Sequence, residues 1–493
     1  MPPPAKELKE IQGDIWPGLG KSHETFYLVS IDKPDDFITK MKAFVDQGHI
    51  TSAESALEKR SQNRDAAKPS PSPGINVSFS ASGMKKLKWD DMSLPRGQAL
   101  TDRYFKEGAR TDAMSQGRDD QNDYEDWMKS YVSGKKLIDG LFLICGNEGS
   151  CKEGVDLVKH HFGDAIGLIE AISGDVGPEP HGFEHFGFKD TISQPFLEGW
   201  EDSSDTTLNY QCRPGVIVMN HKGMKGSDKR NPLWEPEWAT NGSYFVFRKL
   251  AQDVEAFHKR AEELANDKEL DLNMTPKQLE ARFVGRWHSG APVELYPTQD
   301  PGPGYSDNNW DYEDPNHELH CPYGSHIRKC NPRNTFRQVK DKDLSLIMRR
   351  GIPYGSRWSE STKDEPRGLL FGCYQSSLQN GYCAIMNKWC NNDGFPFHNS
   401  GQDVLVAQPI KGAVDPNDQT LHANLYGLCE EGNPHKLRPD GKHPEEKKKR
   451  CNFPSFIKPR GGEYFFTPPI SFFTKLVEGP PAMDDEDEEE EEE

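Results

Sequence analysis

Three short segments bring together side chains that titrate, ligate metals or carry fixed charge. They are HGFEHFGFKDTISQP (His181 to Pro195), HCPYGSHIRKCNPRN (His320 to Asn334) and LIMRRGIPYGSRW (Leu346 to Trp358). Each sets such residues between Gly or Pro turns, which hold side chains at a pocket wall. Asp190, closing GFKD, has the chemistry of a proton shuttle, although a lone Asp in such a turn is ordinarily a cap. His326 reads as a metal ligand or as a structural histidine. Arg349 and Arg350 read as a solvated pair or a salt-bridge site. The residues alone also leave a zinc site open, since His317, His320, Cys321 and His326 offer N and S ligands within ten positions. Their spacing departs from the paired ligands of structural zinc sites. No GxSxG is present to suggest a hydrolase nucleophile.

These segments need a scaffold, and the pattern between them alternates strands and helices. ETFYLVSI (Glu24–Ile31) reads as a strand, and DDFITKMKAFVDQG as a helix ended by Gly48. INVSFSASGMKKL alternates like a half-buried strand that turns at Gly83. DGLFLICG (Asp139–Gly146) is another short strand, and EGVDLVKHHFG (Glu153–Gly163) has helical spacing. The alternation resumes after a Gly/Pro-rich loop (Ser173–Pro195) with RPGVIVMN (Arg213–Asn220), NGSYFVFRKL into AQDVEAFHKRAEEL, and RGLLFGCYQSS (Arg367–Ser377). Two α+β halves are the natural reading. The proline-rich stretch from Tyr296 to Pro315 is too polar for regular structure and suits a site wall.

The 493 residues carry a net charge of −19, and the run Asp484 to Glu493 is wholly acidic, so just over half of that charge sits in one tail. Adjacent like charges bury nothing, and a solvated, disordered tail at 484–493 is expected. The balance argues against nucleic acid as a partner. The basic run Lys447 to Arg450 reads as an exposed loop. No apolar run approaches the roughly 18–20 residues that span a bilayer, so no membrane partner is expected. MPPPAKELKEIQGD lacks the apolar core of a secretory signal. The expected location is the cytoplasm, or the cell exterior by a non-classical route or after signal removal. Ten cysteines at irregular spacing are no disulfide framework, and the absence of CxxCH excludes covalent c-type haem.

The motifs in their order resemble the fungal branch of the dye-decolorising peroxidases. GFKDTISQP is similar to the family's GxxDG segment, SHIRKCNPRN to its proximal-histidine segment and MRRGIPYG to its distal-arginine segment. IQGDI, GRWHSGAP (Gly285–Pro292), GLLFGCYQSS and GGEYFFTPPISFF extend the resemblance from Ile11 to Phe473. It implies an α+β fold of two ferredoxin-like domains (dimeric α+β barrel type), each an antiparallel sheet with peripheral helices. The domains would span 1–175 and 176–483, the second holding one haem b per chain.

The resemblance implies Asp190 as distal acid and base, Arg349 as distal arginine and His326 as the axial ligand of the haem iron. Arg333 and His185 would stand near the haem propionates, Leu369 and Phe371 would line the distal pocket, and Asp403 would receive the second ring N–H of His326. Thr191 replaces the glycine that usually follows the motif Asp. The expected partners are hydrogen peroxide and dye or phenolic donors, with Mn(II) as a further donor, in a monomer or homodimer. Tyr354 and Trp389 match surface electron-transfer positions in some members. A non-catalytic haem carrier is the alternative, and it has no use for an acid and an arginine on the distal side. Thiolate-ligated haem through Cys321 has only CPYG behind it.

Overall fold

The apolar runs pair as strands. β1 (His23–Ile31), β2 (Gly74–Ser80), β3 (Gly140–Gly146) and β4 (Ile166–Asp175) alternate with helices at Pro34–Asp46 and Glu148–Phe162. β5 (Phe196–Leu197) and β6 (Gln211–Cys212) form a small separate pair. β7 (Ser243–Gln252), β8 (Met348–Arg349), β9 (Ile352–Tyr354) and β10 (Gly368–Gln375) follow. β11 (Leu421–Asn424) and β12 (Arg450–Phe453) form a second small pair, and β13 (Ile457–Thr467) completes the main sheet. This is a computed structural model, and it describes residues 3–62, 72–95, 97–115, 137–177, 182–190, 192–201, 211–223, 235–270, 272–313, 318, 320–336, 345–397, 400–408, 421–424 and 450–481. The acidic run 484–493, the basic residues 447–449, Thr191 and His317 lie outside the described residues.

The sheet runs in the order β4-β1-β3-β2-β13-β7-β10-β8, with β9 also on β10, and every listed pairing in it is antiparallel. Each half repeats one ferredoxin-like order, first strand flanked by third and fourth. The halves join where β2 meets β13, through Ser80 opposite Phe465 and Phe79 opposite Phe466. The far edges also approach one another. A Cβ on Gly174 of β4 would lie 2.4 Å from the Pro353 carbonyl of β9, so only glycine fits that seam.

One face of the curved sheet encloses Phe26, Leu141, Phe247, Leu370 and Phe465. The opposite face carries Val29, Val77, Phe142 and Tyr464 under the helices Pro34–Asp46, Glu148–Phe162 and Phe472–Glu478. Burial on both faces explains why β2 is buried throughout rather than half-buried, as its alternation suggested. The chain also departs from its pattern at Gly83, which lies inside a short helix, Ala81–Lys86, capped by Ser80. RPGVIVMN forms a 3-10 turn at Pro214–Val216 rather than a strand, because Pro214 fixes φ and has no N–H for a ladder. The helix Glu148–Phe162 starts ahead of the apolar spacing because Asn147 and Ser150 form a reciprocal cap.

Burial also sets a pH dependence. Glu235 is buried beside the β7 residue Tyr244, whose hydroxyl donates to it at 2.8 Å, and the Thr101 N–H donates at 2.8 Å. Burial pushes its carboxyl up to about 7, well above the usual carboxylate range. The folded chain therefore binds more protons than the unfolded one across that window, and this contribution to stability is lost as pH rises towards 7. Glu235→Gln is expected to narrow the difference in Tm between pH 5 and pH 8. An unchanged difference would remove Glu235 from the account. No helix among the described residues is long and apolar enough to cross a membrane.

Candidate active site

The three segments converge on a cavity of about 350 Å³ against the second half of the sheet, a size typical of ligand sites. Alternation on β10 builds one wall. Leu369 and Phe371 line the cavity, while Leu370 between them packs into the enclosed core. Arg248 and Leu250 of β7, paired across from Phe371 and Leu369, extend the same face.

Asp190 and Arg349 stand together on one side. Arg349 Nη1 donates to Asp190 Oδ1 at 3.0 Å, and Nη2 donates to the Ser193 carbonyl at 2.7 Å. Gln194 holds the Arg349 backbone from both directions. Its Nε2 donates to the Arg349 carbonyl at 2.8 Å, and its Oε1 accepts the Arg349 N–H at 3.1 Å. The Asp190 N–H donates to the Gly182 carbonyl at 2.8 Å. Both charged side chains remain 35% exposed, so their pairing contributes little to stability and leaves them open to a ligand.

His326 opens the short helix His326–Cys330. Gly285, with φ +95°, ends a preceding helix directly against it, where a Cβ would meet Ile327 at 2.3 Å. The buried Arg328 guanidinium lies 4.0 Å from the Tyr312 ring centroid and 4.3 Å from that of Tyr323, and it donates to the Cys321 carbonyl. Lys329 Nζ donates to the carbonyls of Asn392, at 2.8 Å, and Phe395. Burial pushes the Lys329 ammonium down to about 8. The helix is thus fixed on two sides.

The Nδ1 atom of His326 lies 2.8 Å from Asp403 Oδ2. A carboxylate only accepts, so Nδ1 carries the proton and Nε2 keeps its lone pair for a metal. Asp403 is fully buried, and its Oδ1 accepts the N–H groups of Leu405 at 2.8 Å and Val406 at 3.0 Å. Burial alone would raise its carboxyl, but the charge and hydrogen bond of His326 and these two N–H donors hold it below the usual carboxylate range.

A second cationic pair borders the cavity. Arg333 donates to the Asn308 and Trp310 carbonyls and lies over the Trp310 ring, at 3.8 Å from its centroid. Arg286 donates to the carbonyls of Gly290 and Asp307 and to Asn308 Oδ1. Burial pushes the Arg286 guanidinium down to about 10, and the Arg333 charge adds to this. The Arg286 acceptors are neutral oxygens, and among the described residues no carboxylate ion-pairs with Arg286. Two buried like charges at a cavity wall suit an anionic ligand group. Together with a histidine backed by a carboxylate, they fit a haem carrying two propionates. Arg286 was missed in the sequence despite its place in GRWHSGAP, as was Gln194.

Other expectations shift. His185 does not line this cavity. Its Nε2 lies 2.9 Å from the Tyr354 carbonyl, and it borders a neighbouring cavity of about 600 Å³. Burial lowers its pKa. Tyr354 is not a surface residue, at 8% exposure, because β9 tucks against β4 where the sheet curls round. Burial pushes its phenol up to about 12. Trp389 is half-buried and stacks on Phe395, with centroids 5.2 Å apart. The zinc grouping does not form among the described residues. His320 Nδ1 faces the Glu294 carbonyl at 2.9 Å, and Cys321 faces Ser325. The three metal-type donors that do gather there are His326, Cys330 and Asp403.

Residues 10–178 match the family model described as the DyP dimeric alpha+beta barrel domain, and 220–396 match that described as Dyp-type peroxidase, C-terminal. The chain is 30% identical over 498 residues to the dye-decolorizing peroxidase msp1 of Mycetinis scorodonius, covering 94% of this chain and 86% of that protein. It is 31% identical over 490 residues to a dye-decolorizing peroxidase of Exidia glandulosa, with 94% and 86% covered. Among solved structures it is similar to an ancestral D-type dye decolorizing peroxidase, with TM-score 0.79 and 32% identity over 97% of this chain and 100% of that one. It is likewise similar to a fungal DyP-type peroxidase from Auricularia auricula-judae, with TM-score 0.76 and 27% identity over 95% and 99%.

Proposed function

The chain belongs to the dye-decolorising peroxidase family, and on that premise we propose that it reduces hydrogen peroxide and oxidises dyes and phenolic aromatics in one-electron steps at one haem b. The observation that carries this reading is that the Asp190–Arg349 pair and His326, backed by Asp403, share one cavity. His326 Nε2 would hold the iron, and Arg333 with Arg286 would hold the propionates. When bound, the haem supplies the two-electron reduction of peroxide and the electron acceptance from donors.

Asp190, as carboxylate, would take a proton from one peroxide oxygen and return it to the other, which leaves as water. An unperturbed Asp has a pKa of about 3.9, so such a base still works in acid, where a histidine base is protonated. Arg349 would offer its guanidinium to the negative charge that develops as the O–O bond breaks. Gln194 keeps that guanidinium in place through the backbone. Asp403 fixes the tautomer of His326 and strengthens it as a ligand. A carrier has no need of the Asp190–Arg349 arrangement. Mn(II) is left out, since the single gathered donor set among the described residues is the one around His326.

The purified protein is expected to show a Soret band of ferric haem. A colourless preparation that haemin does not reconstitute would overturn the reading. Trp389, half-buried beside Phe395, is the proposed exit for electrons from donors too large for the cavity. Trp389→Phe is expected to reduce turnover of a bulky dye several-fold while sparing a small phenol. Equal effects on both would return Trp389 to packing.

A further inference from the structure

Cys330 and Cys390 are 60 residues apart in sequence and meet beside His326 and Asp403. Cys330 lies one helical turn after His326, which puts both on one face. Its Sγ is 3.6 Å from His326 Nδ1 and 3.9 Å from Asp403 Oδ2. Cys390 is buried at the end of the π-helical turn Ala384–Cys390. Its Sγ is 3.6 Å from that of Cys330, and its carbonyl accepts the Asp403 N–H at 2.8 Å. Both are thiols, and the proposed reaction uses neither. A disulfide has its sulfurs about 2.05 Å apart, so an approach of roughly 1.5 Å separates the two states, within reach of side-chain rotation.

We propose that Cys330 and Cys390 form an oxidative modification site, a dithiol that hydrogen peroxide converts to a disulfide bridging the axial-histidine helix and the Trp389 turn. The proposal rests on the peroxidase reading, because the substrate of that reading is the oxidant. The Cys330 sulfur attacks one peroxide oxygen, the O–O bond breaks, and a sulfenic acid and one water result. The Cys390 sulfur then displaces the hydroxyl, forming the S–S bond and a second water. Peroxide is reduced by two electrons, the two thiols are oxidised by two, and both thiol protons end in water.

The bond draws Cys330 Sγ away from His326 and Asp403 and pulls on the residue whose carbonyl fixes the Asp403 backbone. Both members of the axial pair therefore feel the redox state of the sulfurs, while Asp190 and Arg349 lie outside the change. Prolonged peroxide exposure becomes a signal read at the ligand rather than at the distal residues.

The test uses the full-length holoenzyme, reduced with dithiothreitol and desalted. One sample receives a few equivalents of hydrogen peroxide, followed by catalase. A second receives diamide, a thiol oxidant that needs no haem. Both are alkylated under denaturing conditions and peptide-mapped. The expected result in both arms is loss of two free thiols and a peptide joining Cys330 to Cys390, reversed by dithiothreitol. The haem spectrum of the wild type should shift with oxidation, and that of Cys390→Ser should not. Recovery of both residues as alkylated thiols in both arms, sulfinic acid at Cys330, or pairing with other cysteines overturns the proposal. Bridging by diamide alone overturns peroxide as the oxidant. Loss of the peroxidase reading shows separately, as a missing Soret band beside an intact diamide bridge.

Discussion

Asp190→Asn is expected to slow peroxide cleavage by about 10²–10⁴-fold, the usual range for removing a positioned acid–base group. Asparagine keeps a carbonyl oxygen for Arg349 Nη1, so the 3.0 Å contact can persist while the proton shuttle is lost. The pair is one-third exposed, and exposed pairs contribute about 0–1 kcal/mol. Tm and haem content should therefore stay close to those of the wild type. Stopped-flow measurement of the peroxide step checks this. A loss smaller than about three-fold, with Arg349→Leu causing the larger defect, would move the main role to the guanidinium, whose removal is expected to cost about 10²–10³-fold.

His326→Ala is expected to have the opposite profile. It removes the proposed axial nitrogen and leaves Asp403 fully buried with its two backbone donors and the weak Cys330 thiol donor to offset its charge. Breaking one side of a buried charged pair destabilises by about 3–5 kcal/mol, unless the carboxyl takes up a proton. Haem content and Tm should fall together. His326→Ala with Asp403→Ala should recover Tm but not haem, because the stranded charge goes while the ligand stays absent. Such non-additivity is the mark of two residues acting as one unit. Haem retained at wild-type level in the single variant would contradict the axial role, and equal haem loss in Asp190→Asn would contradict the separation of the two sides.

How much of this was legible in the sequence depended on how local each signal was. Leu369 and Phe371 were named through the family resemblance of GLLFGCYQSS, and Asp190, His326 and Arg349 through that of their own three segments; the period of two along a strand accounts for the shared face of Leu369 and Phe371. Cys330 follows His326 at helical spacing, yet nothing in the sequence brings Cys390 to it. That contact depends on where the turn Ala384–Cys390 packs. Tyr354 was expected at the surface because the family resemblance matched it to surface electron-transfer positions. The seam between β9 and Gly174 of β4 buries it, and no local pattern encodes a seam between strands from opposite halves. Arg286 lies within GRWHSGAP, but nothing local marks it out from other charged residues. Its importance appears only when Arg333 is seen beside it at the cavity wall. His185 kept company with Asp190 in sequence, but the turn at Gly187 (φ +92°) separates their directions, and His185 faces the neighbouring cavity.

The joining of β2 to β13 has a consequence for biosynthesis. The first half has all four of its strands by Asp175 and can fold while the rest of the chain is still being made, since domains fold in order of emergence. The second half cannot, because β7 waits for β13, which is more than 200 positions later in the chain. The cavity waits as well, as Ile457, Pro459 and Tyr464 of that strand form part of its wall. A nascent chain halted before residue 457 would have His326 translated, yet no closed chamber around it. On the proposed reading haem loading would follow translation of β13, and the first half stands ready as the template edge on which that strand docks.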